Sequence, residues 1–303
     1  MDKTTTSPHR SGFVNIIGKP NVGKSTLLNA FMGEKMAIIT HKPQTTRHRY
    51  KGIINGDDYQ IIISDTPGLI TDPGYKLQES MNDSAMSIFE DADVVLFMIS
   101  PEDEYEGDEK VIHKLQHAKV PKFLLINKVD TSDPDALKAL EEKWKGIIPF
   151  DEVHHISAKL LLGIDHLLEQ IKARLQEGPA YYPKDDISDK SVRFFISEII
   201  REKILLQFRQ EIPYSTEVLV ESYKETEKHG KPFVYISAII YVMRDTQKGI
   251  IIGHKGAGIK KLGIEARKDI EKFTKSRCHL ELYIKVKDKW RDDDRMLKSF
   301  GYL

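Results

Sequence analysis

Between residue 12 and about residue 176, short apolar runs alternate with segments in which apolar residues recur at helical spacing. The runs are hydrophobic nearly throughout, which is typical of strands covered on both faces of a largely parallel sheet. This alternation predicts an open α/β sheet with helices on both faces, whose ligand lies at the carboxyl ends of the strands. The predicted strands are FVNIIG (13–18), YQIIISD (59–65), VVLFMIS (94–100), KFLLINK (122–128) and VHHIS (153–157). The predicted helices include 24–33, 78–92 and 134–147.

A different pattern follows residue 190. Apolar residues from Phe194 to Leu205 predict a helix, and two strands at 215–225 and 231–245 are joined by a KHG turn. A second helix near 256–275 and a strand at 278–287 complete an α–β–β–α–β order, which predicts a smaller α+β domain. We therefore divide the chain into a flexible tail (1–11), a first domain (12–177), a proline-containing linker (178–190), a second domain (191–287) and a C-terminal tail (288–303).

The composition of the 303 residues, 40% hydrophobic and 30% charged, excludes the collagenous, disordered and low-complexity classes. No apolar run approaches the ~20 residues of a membrane-spanning helix, and residues 1–11 lack the apolar centre of a signal peptide. We therefore expect a cytoplasmic protein. A single cysteine, Cys278, makes an internal disulfide impossible and is interpreted as structural.

The charges are distributed unevenly, although 46 basic residues match 46 acidic ones over the whole chain. Residues 1–189 contain 22 basic and 30 acidic side chains, a net charge of −8. Residues 190–303 contain 24 basic and 16 acidic side chains, a net charge of +8. The basic half favours a polyanionic partner, whereas an uneven scatter of solvated charges is the simpler alternative.

The sequence GKPNVGKS at 18–25 matches the phosphate-binding pattern G-x-x-x-x-G-K-[ST], between a predicted strand and a predicted helix. Glycines at 18 and 23 let the backbone curl so that its N–H groups converge on phosphates at the helix N-terminus. Lys24 can then reach the β- and γ-phosphates, and Ser25 can supply a hydroxyl to Mg²⁺. The nucleotide-binding residues predicted here are Gly18, Lys19, Pro20, Asn21, Val22, Gly23, Lys24, Ser25 and Thr26.

A second loop, SDTPG at 64–68, follows the strand YQIIISD. Asp65 is the natural partner of Mg²⁺ there, and the backbone N–H of Gly68 can approach the γ-phosphate. Thr66, Pro67 and Leu69 complete the predicted nucleotide contact. A threonine of the polar segment 41–49 can complete the Mg²⁺ coordination; Thr46 is preferred over Thr45, and a solvated hydroxyl is the alternative for either.

Base specificity is predicted at two further loops on the same sheet edge. Within NKVD, the Asp130 carboxylate can accept hydrogen bonds from guanine N1–H and the 2-amino group, which adenine lacks, so GTP is favoured over ATP. Asn127 can brace the loops and the stem of Lys128 can cover the base. Within SAK, residues Ser157, Ala158 and Lys159, the Ala158 backbone N–H can face guanine O6.

The basic half contains GHKG, formed by Gly253, His254, Lys255 and Gly256. It matches the GXXG loop of a KH domain, which clamps about four backbone nucleotides of a single strand. Alone this pattern is weak evidence, but an amphipathic helix follows it, and a KH domain presents bases along a groove between that helix and a strand, here the one at 278–287. Positive charge is added by Lys260, Lys261, Arg267 and Lys268, although a solvated helix face is favoured for most of them. Ile250, Ile252, Ile259 and Leu262 could contact bases, although core packing is favoured for most of them.

The five motifs GKPNVGKS, PQTTRHR, DTPG, NKVD and SAK resemble those of translation-factor-type GTPases, and with the C-terminal half they resemble the bacterial Era family. The resemblance covers residues from about 12 to 303. It implies an α/β P-loop GTPase domain followed by a smaller α+β KH domain of type II, with Thr46 as the switch threonine. The tail at 288–303 resembles the Era C-terminus, which helps the KH domain to hold RNA.

One departure from Ras-type GTPases concerns catalysis. Leu69 follows DTPG, where those enzymes have the glutamine that orients the attacking water. We expect slow hydrolysis until another group assists, and similar GTPases use a P-loop asparagine, here Asn21, to hold a potassium ion. A residue tolerated in a tight turn is the alternative for Asn21. The predicted catalytic residues are Lys24, Thr46, Gly68 and Asn21, and the predicted metal ligands are Ser25, Thr46 and Asp65.

The resemblance implies a monomeric GTPase that uses GTP, GDP and Mg²⁺, binds the 3′ end of 16S rRNA and acts in maturation of the 30S subunit. It also implies peripheral association with the inner face of the cytoplasmic membrane, for which the sequence has no lipidation site or strongly basic amphipathic helix. Two alternatives remain at this point. One is a GTPase of the tRNA-modification type, against which GHKG argues, and the other is a non-catalytic RNA assembly factor that binds GTP.

Overall fold

The computed structural model of the protein describes residues 9–102 and 109–303. The chain forms two compact units. The first comprises the residues up to 37 together with 46–74 and 78–189, and the second comprises 38–45, 75–77 and 190–303. Residues 1–8, most of the predicted N-terminal tail, lie outside the described part.

The first unit is built on one sheet with the strand order β2-β3-β1-β4-β5-β6, in which β7 pairs with β1. All neighbours are parallel except β2 with β3 and β7 with β1. The strands are β1 (Arg10–Ile17), β2 (Tyr50–Asn55), β3 (Tyr59–Asp65), β4 (Val94–Ile99), β5 (Lys122–Ile126), β6 (Glu152–His155) and β7 (Gln176–Glu177). Every residue of β4 and β5 is buried, as expected for central strands of a covered sheet.

Helices separate these strands. They are α1 (Lys24–Met32), α2 (Lys76–Met86), α3 (Ile88–Asp91), α4 (Glu109–His117), α5 (Pro134–Lys145) and α6 (Ile164–Arg174). Local chemistry explains their ends, since α5 begins with a proline at its first position and Asp133 accepts hydrogen bonds from the backbone N–H groups of Asp135 and Ala136. Core residues of the sheet pack against α4 and α5 through Leu115 and Trp144. The predicted α/β fold with a mostly parallel sheet is confirmed.

Two strands of the first unit were not predicted, the two-residue β7 and the longer β2. The sequence of β2, YKGIIN, has no uninterrupted apolar run, and Gly52 lowers its strand propensity. Gly52 is nevertheless required by packing, because a Cβ atom there would approach Leu28 Cδ1 to 2.9 Å. The strand forms because tertiary contacts with α1 and β3 outweigh local preference.

The second unit is a three-stranded sheet of order β10-β9-β8, with helices against one face. The strands are β8 (Glu217–Lys228), β9 (Lys231–Val242) and β10 (Arg277–Val286), and the helices are α7 (Val192–Gln207), α8 (Asp245–Ile252), α9 (Ala257–Thr274) and α10 (Asp294–Ser299). β8 and β9 form a hairpin whose turn residues, His229 and Gly230, both have positive φ, as the tight hairpin turn requires. Its core contains Ile200 of α7, Ile240 of β9 and Leu262 of α9.

The helix α8 is absent from the α–β–β–α–β order that the sequence predicts for the second domain. Three consecutive isoleucines and Gly249 have low helix propensity, so periodicity does not reveal this short helix. This helix changes the positions of the neighbouring apolar residues, most of which were expected to pack in the core. Ile251 is fully buried, whereas Ile250, one position before it on the helix, is 51% exposed and does not belong to the core. Leu262 is buried as favoured, and Ile252 and Ile259 are half-buried.

The two segments predicted as a linker and a tail are both ordered. In the segment 178–190, the backbone N–H groups of Tyr181 and Tyr182 donate to Gln60 Oε1, so this segment lies along the first unit. In the C-terminal segment, Trp290 is fully buried and its Nε1–H donates to the Ser215 carbonyl at 3.0 Å. No helix among the described residues has the length and apolar character needed to cross a membrane.

Candidate nucleotide site and nucleic-acid groove

The loop between β1 and α1 has the shape that phosphate binding needs. Lys24, the first residue of α1, is buried, and its Nζ donates to the carbonyls of Gly18 at 2.8 Å and Lys19 at 2.7 Å. Gly23 has a φ of +112°, and a Cβ atom there would lie 2.2 Å from Asn127 Nδ2. Only glycine fits this backbone, which curls around the lysine and leaves the N-terminus of α1 directed at the loop.

Three oxygen-bearing side chains from three separate motifs meet beside this loop. Ser25 Oγ lies 2.7 Å from Asp65 Oδ2 and 2.9 Å from Thr46 Oγ1, and Thr46 Oγ1 lies 3.2 Å from Asp65 Oδ2. Asp65 ends β3 and is fully buried. The structure therefore brings together all three predicted metal ligands.

Asp65 carries the evidence that this cluster fits a cation. Its Oδ1 is buried without a hydrogen-bond partner among the described residues. Burial raises the pKa of the carboxyl group above its ordinary value, against the opposing effects of the Ser25 hydrogen bond and the positive charge of Lys24. Hydroxyl and carboxylate oxygens are the ligands that Mg²⁺ prefers, so the cluster fits the metal that the sequence predicts.

The loop after β3 is packed closely against the phosphate-binding loop. A Cβ atom at Gly68 would lie 2.6 Å from the backbone nitrogen of Pro20, so only glycine permits this approach. The Thr66 hydroxyl donates to the Ile16 carbonyl at 2.8 Å, which ties the loop to β1 rather than leaving the side chain for a ligand. Pro67 is buried, and Leu69 packs against the hydrophobic core, where it cannot orient water.

A single amide joins the two loops predicted to read the base to the phosphate loop. Asn127 Nδ2 donates to the Val22 carbonyl at 2.7 Å, and Asn127 Oδ1 accepts from the Ala158 backbone N–H at 3.0 Å. Lys128 follows with a φ of +65°, and its Nζ lies 2.7 Å from Glu102. Asp130 is exposed in a short 3₁₀ turn, with its carboxylate available for hydrogen bonding. Asn127 thus braces both loops, as the sequence predicts.

The GHKG loop of the second unit lies between α8 and α9. Gly253 and Gly256 have φ values of +71° and +81°, and a Cβ atom at Gly253 would lie 2.9 Å from the Gly258 backbone nitrogen. His254 and Lys255 between them are exposed. Lys260 and Lys261 are also exposed on the first turns of α9. All the residues predicted for RNA are therefore accessible around one helix N-terminus.

A groove of about 370 Å³ runs between α9 and β10. It has an apolar floor and a basic rim, a combination suited to unstacked bases joined by phosphates. Of the two further polar residues of the groove, Arg267 was expected only as a charge on the helix face, and His279 was not predicted. Alternation along β10 was the available signal for His279. The groove is lined by Ile259, Lys260, Gly263, Ile264, Arg267, His279, Leu280 and Leu282.

The sequence also gave no indication of the buried polar residues on α7. Arg201 is fully buried, pairs with Glu198 at 2.6 Å, and donates to the backbone carbonyls of Gln44 (3.2 Å) and Thr45. Lys42 donates to the carbonyls of Leu205 and Phe208. These contacts hold the segment 38–45 within the second unit, one residue before Thr46.

Two family models match the chain. Residues 13–128 match a model described as a 50S ribosome-binding GTPase, and residues 211–291 match a KH domain model. The first includes the phosphate loop, the metal cluster and Asn127, and the second includes GHKG and both walls of the groove.

Curated relatives match over nearly the whole chain. GTPase Era of Geobacter metallireducens is 46% identical over 297 residues, which are 98% of this chain and 99% of the relative. GTPase Era of Lactobacillus helveticus is 43% identical over 293 residues, 97% of this chain and 96% of the relative.

Solved structures agree over the same length. A crystal structure of an Aquifex aeolicus Era variant bound to GDP and AlF₄⁻ has a TM-score of 0.90 at 36% identity, covering 97% of this chain and 99% of that one. A crystal structure of Era in complex with MgGDPNP and nucleotides 1506–1542 of 16S ribosomal RNA has a TM-score of 0.91, with the same identity and coverage.

Proposed function

The chain belongs to the Era family of GTPases and hydrolyses GTP to GDP with Mg²⁺, and we propose that it binds the 3′ end of 16S rRNA in the assembly of the 30S subunit. The observation that carries the proposal is the accessible GHKG loop beside the α9–β10 groove, in the same chain as a complete metal cluster.

Different residues around the phosphate-binding loop are assigned to different parts of GTP binding and hydrolysis. The backbone N–H groups of 18–25 and Lys24 would hold the phosphates, and Ser25, Thr46 and Asp65 would hold the metal ion. Mg²⁺ bound there would neutralise charge that develops on the phosphate oxygens. The backbone N–H of Gly68, which packs against Pro20, would approach the γ-phosphate, and the exposed Asp130 would select guanine. These assignments rest on the positions of the side chains around the loop.

Hydrolysis by this arrangement requires help from outside the DTPG loop. Leu69 is partly buried against the hydrophobic core and has no polar group, so the side chain at that position does not orient the attacking water. Asn21 has a φ of +65° in the exposed part of the phosphate loop, where its amide oxygen can contribute to a potassium site. We propose that potassium there supplies the charge that an arginine finger supplies in other GTPases.

The RNA assignment follows from chemistry and from the relatives. The net charge of +8 on 190–303 favours a polyanion, and a four-nucleotide clamp is the function of a GXXG loop. The description of one family model names binding to the 50S ribosome, but that model covers only residues 13–128. The Era complex with 16S rRNA covers 97% of this chain, including the groove, and therefore supports the 30S assignment better.

Two features favour this function over its alternatives. A tRNA-modification-type GTPase lacks a C-terminal KH domain, whereas residues 211–291 match one. The curated relatives named GTPase Era favour hydrolysis over a non-catalytic GTP-binding factor, and phosphate release measured with and without RNA and potassium separates the two. We further propose a cytoplasmic monomer that associates peripherally with the inner face of the membrane; family resemblance is the support for this.

Fluorescence anisotropy with labelled RNA of nucleotides 1506–1542 tests the RNA assignment. The wild-type chain is compared with His254→Asp/Lys255→Asp, which places negative charge on the exposed GHKG loop without changing its glycines. The control is Lys138→Asp/Lys143→Asp, which changes exposed charges on α5 in the other unit.

We expect the loop variant to bind at least about tenfold more weakly, since it loses phosphate contacts and gains repulsion. The α5 control should bind as tightly as the wild type, and all three proteins should hydrolyse GTP equally without RNA. Equal RNA affinity of the wild type and the loop variant would contradict the assignment.

A further inference from the structure

One face of the β8–β9–β10 sheet packs against the helices, and much of the other face is open. Val234 and Ile236 point into the core, whereas Tyr235 between them is 46% exposed. The C-terminal segment covers one end of the open face, where Phe300 packs against Tyr241 with ring centroids 5.1 Å apart. Tyr235 lies towards the opposite end, and Tyr283, which pairs with Ile239 between the two, is 51% exposed.

Aromatic rings from two strands meet on this open end. The ring of Tyr235 lies 5.1 Å from that of Phe233 and 5.8 Å from that of His279, its direct neighbour across the sheet. Glu281 accepts hydrogen bonds from the Tyr283 hydroxyl at 3.0 Å and from His279 Nε2 at 3.2 Å in the tautomer that protonates it. The rings are thereby fixed in orientation although they are exposed.

Basic side chains surround the rings. Lys224 pairs with Tyr235 across the sheet, Arg277 pairs with Phe233, and Lys228 lies over the Phe233 ring at 5.3 Å. With Lys231 and Lys285 the face has five cations. Its acids are engaged: Glu281 by the rings, Glu221 by Lys285 at 3.5 Å, and Glu217 by the Tyr302 hydroxyl at 2.6 Å. Exposed aromatic rings among cations suit stacked bases with phosphates between them.

The open face continues from the proposed RNA groove. His279 lines the α9–β10 groove and also packs against Tyr235 on the open face. Since β10 is an edge strand, a nucleotide strand that leaves the groove at His279 can cross this edge to the rings without passing over another element. A clamp of about four nucleotides fills only the GXXG loop and groove, so a longer RNA has nucleotides left to bind elsewhere.

We propose that the open face of this sheet is a second contact surface for single-stranded RNA, on which bases stack against Tyr235, His279 and Tyr283. The surface extends the footprint of the α9–β10 groove and does not replace it. This inference rests on the proposed RNA-binding function, because it needs an RNA that already occupies the groove.

Anisotropy with the RNA of nucleotides 1506–1542 and the full-length chain tests the proposal. The variant Tyr235→Ala/Tyr283→Ala removes two rings that are exposed enough to leave the fold intact, which its melting temperature checks. The matched variant Tyr235→Phe/Tyr283→Phe retains the rings and removes only the hydroxyls. Crosslinking of the same RNA, substituted with 4-thiouridine, locates the contacted peptides by mass spectrometry.

We expect the alanine variant to bind roughly tenfold more weakly or worse, as stacking losses of this kind predict, and the phenylalanine variant to stay within about twofold of the wild type. Wild-type crosslinks should include peptides of β9 or β10 that carry Tyr235 or Tyr283. The proposal is overturned if the alanine variant binds normally, the result expected if the face binds a protein, or if both variants weaken equally. A wild type that binds no RNA would instead refute the proposed function.

Discussion

At the scale of single residues, side chains from three separate motifs meet at the Ser25 hydroxyl. Asp65 and Thr46 are 40 and 21 positions away along the chain, yet both lie within 3 Å of it. Ser25 and Asp65 reach the same edge of the sheet because the parallel strands β1 and β3 present their carboxyl ends together. Thr46 reaches that edge because it precedes β2, which is antiparallel to β3. The sequence therefore predicted this cluster well.

Thr46 and its neighbour Thr45 offer a matched test of the metal cluster. Thr46→Ala should raise the Mg²⁺ concentration for half-maximal GTP hydrolysis by roughly tenfold or more, because one oxygen ligand is lost. Thr45→Ala should leave it unchanged, since the Thr45 hydroxyl bonds the Thr40 hydroxyl at 2.7 Å and the Lys42 carbonyl at 2.6 Å instead. Steady-state rates across a Mg²⁺ titration measure both, and identical shifts would refute the role of Thr46.

Asn21 leads to a prediction about monovalent ions. Single-turnover GTP hydrolysis by the wild type should be several-fold faster in potassium chloride than in sodium chloride at equal ionic strength. Asn21→Ala should reduce that difference, because the amide oxygen that helps to bind the ion is removed. Equal wild-type rates in the two salts would exclude a potassium site.

Cys278 gives a test at a residue without a functional role. Burial raises its thiol pKa to about 11, so the native protein at pH 8 should react with iodoacetamide far more slowly than the urea-unfolded chain. Because the folded state retains this proton to higher pH than the unfolded state, the contribution of Cys278 to stability falls as the pH rises from about 9 to 11. Mass spectrometry of alkylated protein measures the reaction; rapid labelling of the native state would contradict the buried position.

At the scale of elements, α7 combines an apolar stripe with a buried ion pair. Glu198 and Arg201 are one turn apart, and the pKa of Arg201 is raised: burial lowers it, but the charge and hydrogen bonds of Glu198 outweigh that effect. The same guanidinium donates to the carbonyls of Gln44 and Thr45. Arg201 thus stabilises both its own helix and the segment packed on it.

Arg201→Met should lower the free energy of unfolding by about 3–5 kcal/mol, because Glu198 and the two carbonyls remain buried without their donor. Arg201→Met/Glu198→Leu should lose less, since the Glu198 carboxylate is then not left buried without its partner. Urea unfolding followed by circular dichroism measures both values. A double variant less stable than the single one would contradict this account of the pair.

The elements that the sequence predicted and those it did not differ in a physical way. Strands such as β4 and β5 are buried on both faces, so their apolar runs are visible without tertiary information. The edge strand β2 and the isoleucine-rich helix α8 depend on neighbours that the sequence does not show. The groove between α9 and β10 was predicted, but the position of His279 in it was not, because that position depends on how β10 packs against α9.

At the scale of the whole molecule, the zero net charge is the sum of two opposite preferences. We propose that residues 1–189, with a net charge of −8, hold phosphates through the buried Lys24 and backbone N–H groups, and that their acidic remainder disfavours other polyanions. Residues 190–303, with a net charge of +8, contain the GHKG loop, the groove and the open sheet face. The opposite net charges of the two halves were predictable from the sequence. The clustering of cations on the open face of the β8–β9–β10 sheet was not.

Binding to the 3′ end of 16S rRNA is measured most directly by crosslinking the chain to RNA in living cells and sequencing the bound fragments. The proposed rRNA function predicts that the fragments are enriched at the 3′ end of 16S rRNA. It also predicts that this enrichment is lost in the GHKG-loop variant His254→Asp/Lys255→Asp. Fragments that map away from the 3′ end, and that persist in this variant, would contradict it.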